Sequence, residues 1–240
     1  MFDRLKHRAE KPELMDDRSA GGRDLRQAYR HLSRLNRIFG AAGPTLYGIK
    51  RLWCDAGRPK QLSILDIGCG YGDVNRPILR WADNNSVRMM ITLADRSEEA
   101  CEEARRLYKD EPRIEVIKCD LFTLPERCAD IVTATQFVHH FSSLELQNVV
   151  RKLLQTSRMG IVINDIHRHW IPWLAVFTVT RLISRNTYIR HDGPLSVAKG
   201  FRATDWQSLK QSDVASDMSY YWRPLFRYVV TARKMSAGGR

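Results

Sequence analysis

Apolar residues recur along this chain in two rhythms, and the switches between them lay out its elements. Leu25, Tyr29, Leu32, Leu35 and Ile38 follow the three-and-four spacing of one helical face, in a helix that Asp24 is placed to cap and that runs to Phe39 before Gly40. Gly43-Pro44 opens a second helix, through Trp53. Short β-rich runs at 62–67, 89–95, 114–120, 129–135 and 159–165 then read as strands, separated by helical stretches at 75–81, 97–108 and 143–155. Pro77 fits only a first turn, so the helix that holds it is expected to start at 73–75. Strand and helix in alternation call for an α/β domain, a parallel sheet covered on both faces.

After the fifth strand, residues 170–183 form the most apolar piece of the chain. As a helix it reaches roughly 21 Å, short of the roughly 30 Å of a bilayer core. A buried lid helix is the preferred reading, an interfacial anchor the alternative. Residues 190–196 (Arg-His-Asp-Gly-Pro-Leu-Ser) read as a turn-rich loop and 204–211 as a short helix. Strands at 214–221 and 226–232 are expected around a Trp222-Arg223-Pro224 turn. The expected organisation is a mobile segment 1–22, a helical cap 23–57 and one domain 58–235, with 168–200 as lid or substrate insertion.

A length of 240 residues suits one sizeable core. Five scattered cysteines without a Cys-x-x-Cys pair, and no apolar stretch after Met1, point to a reducing cytoplasm and away from a disulfide framework, a structural zinc or a secretory leader. The net charge of +12 leaves three partners open: an anionic membrane surface, nucleic acid, or water alone. Its basic residues are spread without a dense run or an RNA-binding motif, which argues against nucleic acid and keeps peripheral membrane contact in view.

The first β-run ends in Leu65-Asp66-Ile67-Gly68-Cys69-Gly70-Tyr71-Gly72. Glycines after a strand let bare backbone approach a ligand. Dinucleotide sites use Gly-x-Gly-x-x-Gly; here the third glycine comes one residue early and Asp73 takes its place. The carboxylate of Asp66 would repel a phosphate and welcome an ammonium group. A cationic nucleoside fits better than a pyrophosphate.

The loop and the runs after it resemble the class I S-adenosylmethionine-dependent methyltransferases, through Met89–Asp95, the 114–120 run with Leu121, Ala129–Thr135, Val138-His139-His140-Phe141 and the 159–165 run, about 100 residues in family order. The resemblance implies a Rossmann-like seven-stranded, mostly parallel sheet with a C-terminal antiparallel hairpin, an N-terminal helical extension that either closes over the site or pads the sheet, and S-adenosylmethionine as cofactor. It implies that Asp66 faces the methionine ammonium, that Gly68, Gly70 and Gly72 bring backbone against the nucleoside, that Asp95 takes the ribose hydroxyls, and that Asp120 accepts from the adenine amino group while Leu121 packs on the ring. Cys69 and Arg96 belong to the same cofactor-binding set. Taken alone, Asp95 and Asp120 read equally as capping or turn residues.

The acceptor chemistry is fainter. His140, after the fourth strand, is placed as a general base or as a structural histidine. Asp165 and His167 end the fifth strand at the same crevice and complete the catalytic candidates. Trp170, Trp173 and His191 are candidate substrate contacts. No metal is implied, because the histidines and acids lack the spacing of a ligand set. The expected partner is a small apolar acceptor (a phenol, quinone precursor, polyketide or lipid), methylated on oxygen or carbon. The alternatives are an RNA or protein methyltransferase and a non-catalytic scaffold; Thr135-Gln136-Phe137 lacks the Asn/Asp-Pro-Pro-Tyr/Phe of amino-methylating enzymes. The oligomeric state is not legible.

Overall fold

The computed structural model describes residues 5–17, 20–214 and 217–234. Seven strands, β1 (Gln61–Ile67), β2 (Arg88–Asp95), β3 (Ile114–Lys118), β4 (Ala129–Thr135), β5 (Ser157–Ile166), β6 (Met218–Arg223) and β7 (Arg227–Arg233), form one sheet in the order β3-β2-β1-β4-β5-β7-β6. β1 to β5 run parallel; β7 enters antiparallel between β5 and β6. The central strands are covered on both faces and are accordingly near-continuous apolar runs. Alternation sorts their side chains: Leu65, Ile161 and Ile163 pack toward Leu153 and Trp206, while Ile64, Ile131 and Val162 pack toward Ile49 and Ile78.

The helices are α1 (Gly22–Ile38), α2 (Ala42–Asp55), α3 (Asn75–Asn84), α4 (Glu98–Leu107), α5 (Ser143–Thr156), α6 (Trp170–Ile183), α7 (Thr187–Lys199) and α8 (Ala203–Lys210). Sequence set several of their ends. Ser97 accepts from Ala100 N at 3.3 Å to start α4, and Ser142 with Glu145 closes a capping box on α5. Pro44 and Pro77 fall in the first turns of α2 and α3. α1 starts two residues before the expected Asp24, after Gly21. The sheet order reverses between β1 and β4, and the crevice past their carboxyl ends is where open α/β sheets bind ligands.

Four expectations are corrected. Residues 190–196 are not a loop but the middle of α7, which contains Pro194. Packing overrides the turn signal: a Cβ on Gly193 would lie 3.0 Å from Thr180 Cγ2 and 3.1 Å from Val176 Cγ1, so Gly193 lets α7 close onto α6. The sixth strand begins at Met218, not 214, and takes in Trp222 and Arg223, which moves the turn to Pro224–Phe226. Much of the segment expected to be mobile is ordered against the body, with Leu5 and Glu13 buried; its residues 1–4 and 18–19 lie outside the described residues. Finally, α6 is no buried lid. It buries only Pro172 and Thr180, while Ile171, Leu174 and Leu182 face solvent.

Candidate functional site

A cleft of about 520 Å³ opens at the β1/β4 switch point, floored by the glycine loop and the ends of β2 and β3 and roofed by α7 and residues 10–16. Gly68 and Gly70 line it with left-handed backbone, φ +63° and +53°. A Cβ on Gly68 would strike Phe137 at 2.2 Å; one on Gly70 would stand 3.7 Å from Tyr29, so that position stays bare for its φ and for access. Gly72 does not line the cleft. Its Cβ would meet Leu93 at 2.8 Å, and its carbonyl accepts from Tyr108 Oη at 2.7 Å, so it seats the loop on β2 and α4.

Asp95 lines the cleft and receives Gly70 N and Ser97 N, both at 2.9 Å; burial pushes its carboxyl up. Asp120 is exposed at the edge, receives Phe122 N at 2.9 Å and starts the 3-10 turn that presents Leu121 to the cleft. Asp66 lies behind the loop, buried, and accepts from Thr133 Oγ1 and Asn75 Nδ2, both at 2.7 Å. Burial raises its carboxyl to about 6 despite those two bonds. Neither Asp66 nor Cys69 lines the cleft.

The roof brings in groups the sequence reading missed. His140 lines the cleft, with its Nδ1 2.8 Å from Asp16 Oδ2. Burial would push Asp16 up, but the His140 hydrogen bond and the charges of His140, Lys199 and Arg96 outweigh it and bring it to about 2. Arg96 in turn donates to the Asp16 carbonyl at 2.9 Å, joining the roof to the β2 end. Beside His140, its ring stacked at 4.3 Å, the buried His139 is pinned to Asp165 through Nδ1 at 2.8 Å, with its Nε2 3.5 Å from Glu13. Burial opposes charge on His139, yet the two carboxylates win and raise it to about 9.

Residues 64–160 match the family model described as a methyltransferase domain. These residues form a methyltransferase domain. No curated protein matches it by sequence. Among solved structures, this chain is similar in fold to the plantazolicin methyltransferase in complex with SAH (15% identity, 88% of this chain and 91% of that one, TM-score 0.65). It is similar to human N-acetylserotonin methyltransferase in complex with SAM (17%, 88% and 56%, 0.61) and to the CMeT domain of the citrinin polyketide synthase (17%, 72% and 46%, 0.53). At these identities the likeness is one of fold, and the chain spans under half the length of the polyketide synthase structure.

Within the fold, the sequence-named residues fall into two groups. Gly68, Gly70, Asp95, Arg96, Asp120, Leu121 and His140 meet in the cleft. Asp165 is fully buried one layer behind it and serves His139, not His140. His167 packs away from the cleft between Tyr228 and Phe226, accepting from Trp222 Nε1 at 3.2 Å; burial and neighbouring cations lower it to about 4. Trp170, Trp173 and His191 do not line the cleft either. α6 points its tryptophans elsewhere, and His191 turns onto Asp192 at the α7 surface. From α7 the lining residues are instead Ile189, Asp192, Gly193, Ser196 and Lys199.

No metal was expected, and among the described residues Glu13, His139 and His140 do bring ligand atoms within 4.8 Å of one another. Lys199 Nζ stands 3.6 Å from Glu13 and 3.7 Å from Asp16, so an ammonium already supplies positive charge there. Only the His139-His140 doublet carried a sequence signal for this cluster.

Proposed function

We propose that the protein binds S-adenosylmethionine and methylates a hydroxyl group of a small, largely apolar acceptor, with His140 as general base. The cradle fits this cofactor by the chemistry of its donors. Asp95 presents a carboxylate suited to a ribose diol, Asp120 stands at the edge for an exocyclic amine, Leu121 gives an apolar floor, and Gly68 and Gly70 leave the backbone uncovered. Asp66 acts from behind, fixing loop and α3 through Thr133 and Asn75. When bound, the cofactor supplies an electrophilic methyl on a sulfonium.

The Asp16–His140 pair carries the assignment of base. A carboxylate on Nδ1 fixes the tautomer that leaves Nε2 as the acceptor of a proton, the arrangement by which oriented histidines work elsewhere. His140 Nε2 takes the acceptor's hydroxyl proton, and Asp16 steadies the imidazolium that results. Around them Leu32, Leu35, Phe137, Phe141 and Ile189 give the acceptor side an apolar wall that excludes water.

Calorimetry with S-adenosylmethionine and a mass-spectrometric screen of phenolic and aliphatic alcohol acceptors test the reading. Binding to wild type that is weakened at least about tenfold in Asp95→Ala is expected, with a methyl ether as product. Absence of cofactor binding would leave the non-catalytic scaffold reading. Methylated RNA as product, with every small acceptor inert, would move the assignment to nucleic acid.

A further inference from the structure

The outward face of α6 presents Ile171, Leu174 and Leu182 to water, Leu182 at 79% exposure. It is continuous with the β6–β7 turn. Trp170 stacks toward His169 (5.9 Å), His169 toward Phe226 (5.2 Å) and Phe226 meets Trp222 edge-on (6.1 Å). Trp222 and Leu225 are themselves 51% and 53% exposed, and Leu225 and Phe226 hold consecutive left-handed backbones, φ +63° and +56°. Leu35 of α1, Phe39 just after it, Val176 of α6 and Leu225 line one small cavity, so α1, α6 and the turn share this end of the molecule. An apolar patch of this kind is not solvated for nothing.

Charge says what covers it. Helices α1, α2 and α6 with the β6–β7 hairpin hold eleven lysines and arginines against two acids, Asp24 and Asp55. Nine of the chain's +12 net charge therefore lie on these elements. Arg181 stacks over Phe177 at 3.4 Å and Arg223 over Tyr47 at 4.1 Å, so cations sit among the aromatics. A second copy of such a face would be repelled by the first, and nucleic acid offers nothing to exposed leucines. An anionic bilayer meets both demands: phosphates for the arginines, an apolar interior for Leu174 and Leu182, and an interfacial zone for the tryptophans.

We propose that α6 and the β6–β7 turn dock this methyltransferase on anionic phospholipid surfaces. The helix is 14 residues long, too short to cross, and none of the described helices is long and apolar enough to span a membrane. It therefore lies in the interface. This inference is independent of the acceptor's identity and of the base.

The full chain is tested by co-sedimentation with vesicles of phosphatidylcholine alone and of phosphatidylcholine enriched in phosphatidylserine. Binding to the anionic vesicles only, weakened by added salt, is expected. Leu174→Glu with Leu182→Glu should lower the vesicle partition coefficient at least about tenfold while near-ultraviolet dichroism keeps its native shape. Should that variant misfold, Arg181→Glu with Arg185→Glu reads the same face and should show a similar loss. The proposal fails if wild type ignores anionic vesicles, if the folded variants bind them as tightly as wild type, or if sedimentation velocity shows the face buried in a dimer.

Discussion

Asp165 grips His139 twice, receiving its Nδ1–H at 2.8 Å and its backbone N–H at 3.1 Å. With Glu13 on the other side of the ring, the imidazolium is held between two buried carboxylates. Its folded-state pKa of about 9 lies above its ordinary 6.5. For a group raised in this way, the stabilisation is fully present below 6.5 and disappears as pH climbs through about 9. Melting temperatures of wild type and His139→Gln should therefore differ most at pH 6 and converge as pH rises toward that value. A gap that stays constant across the range would remove the charged histidine from the account. Asp165→Asn, which strips one partner from a buried pair, should cost about 3 kcal/mol or more in denaturant unfolding.

The glycine loop separates packing from access. Gly68→Ala must accept φ +63° and also displace Phe137, whereas Gly70→Ala meets nothing closer than 3.7 Å. The left-handed penalty alone is about 1–2 kcal/mol, and the first substitution adds a steric clash to it. Gly68→Ala is expected to lose clearly more stability by thermal unfolding than Gly70→Ala. Gly70→Ala should keep the fold and weaken S-adenosylmethionine in calorimetry. Equal melting points for the two variants would contradict this geometry.

Legibility followed sequence distance. The order of the strands, the loop and the acids at the ends of β2 and β3 are local signals, each written within a few residues, and they were readable. The acceptor side was not. Asp16 meets His140, and Glu13 meets His139, across more than 120 residues, and a polar N-terminal stretch has no periodicity to announce that it is held down. Asp165 was expected at the crevice but lies buried on His139, because strand register does not tell which of two adjacent histidines turns inward to cover it. In α7, His-Asp-Gly-Pro is turn chemistry by composition, yet Gly193 and Pro194 sit in a helix because α6 and the N-terminal segment pack on it. The apolar run of α6 fixed a helix, while its side of exposure depended on what else was there to cover it.

His140 and Asp16 should separate in kinetics. His140→Ala is expected to lower kcat on a hydroxyl acceptor by about 10²- to 10⁴-fold, with S-adenosylmethionine affinity little changed. Asp16→Asn keeps the size of the orienting group and loses its charge, so its loss should be smaller. An acceptor already ionised in solution needs no base, and with it the His140→Ala defect should largely vanish. A defect of the same size on ionised and neutral acceptors would assign His140 to binding.

Arg8 is the fastener of the roof. Its guanidinium donates to the carbonyls of Lys199 (3.0 Å), Phe141 (2.9 Å) and His139 (3.3 Å) and lies 4.3 Å over the Phe201 ring. Leu14 N and Met15 N are tied separately, to the Asp192 carboxylate at 2.9 Å each. Removing the side chain of Arg8 therefore loosens one end of residues 5–17, where the Leu5 carbonyl still receives Arg168 and Arg202, while the other stays anchored. Hydrogen exchange in Arg8→Ala should speed up across residues 5–13 and leave the sheet strands protected. Glu13 and Asp16 line the cleft, so under the proposed function KM for the acceptor should rise by about tenfold, the equivalent of about 1.4 kcal/mol, before cofactor affinity moves. If exchange rises instead throughout β4 and β5, Arg8 belongs to the stability of the core and not to the closure of the cleft.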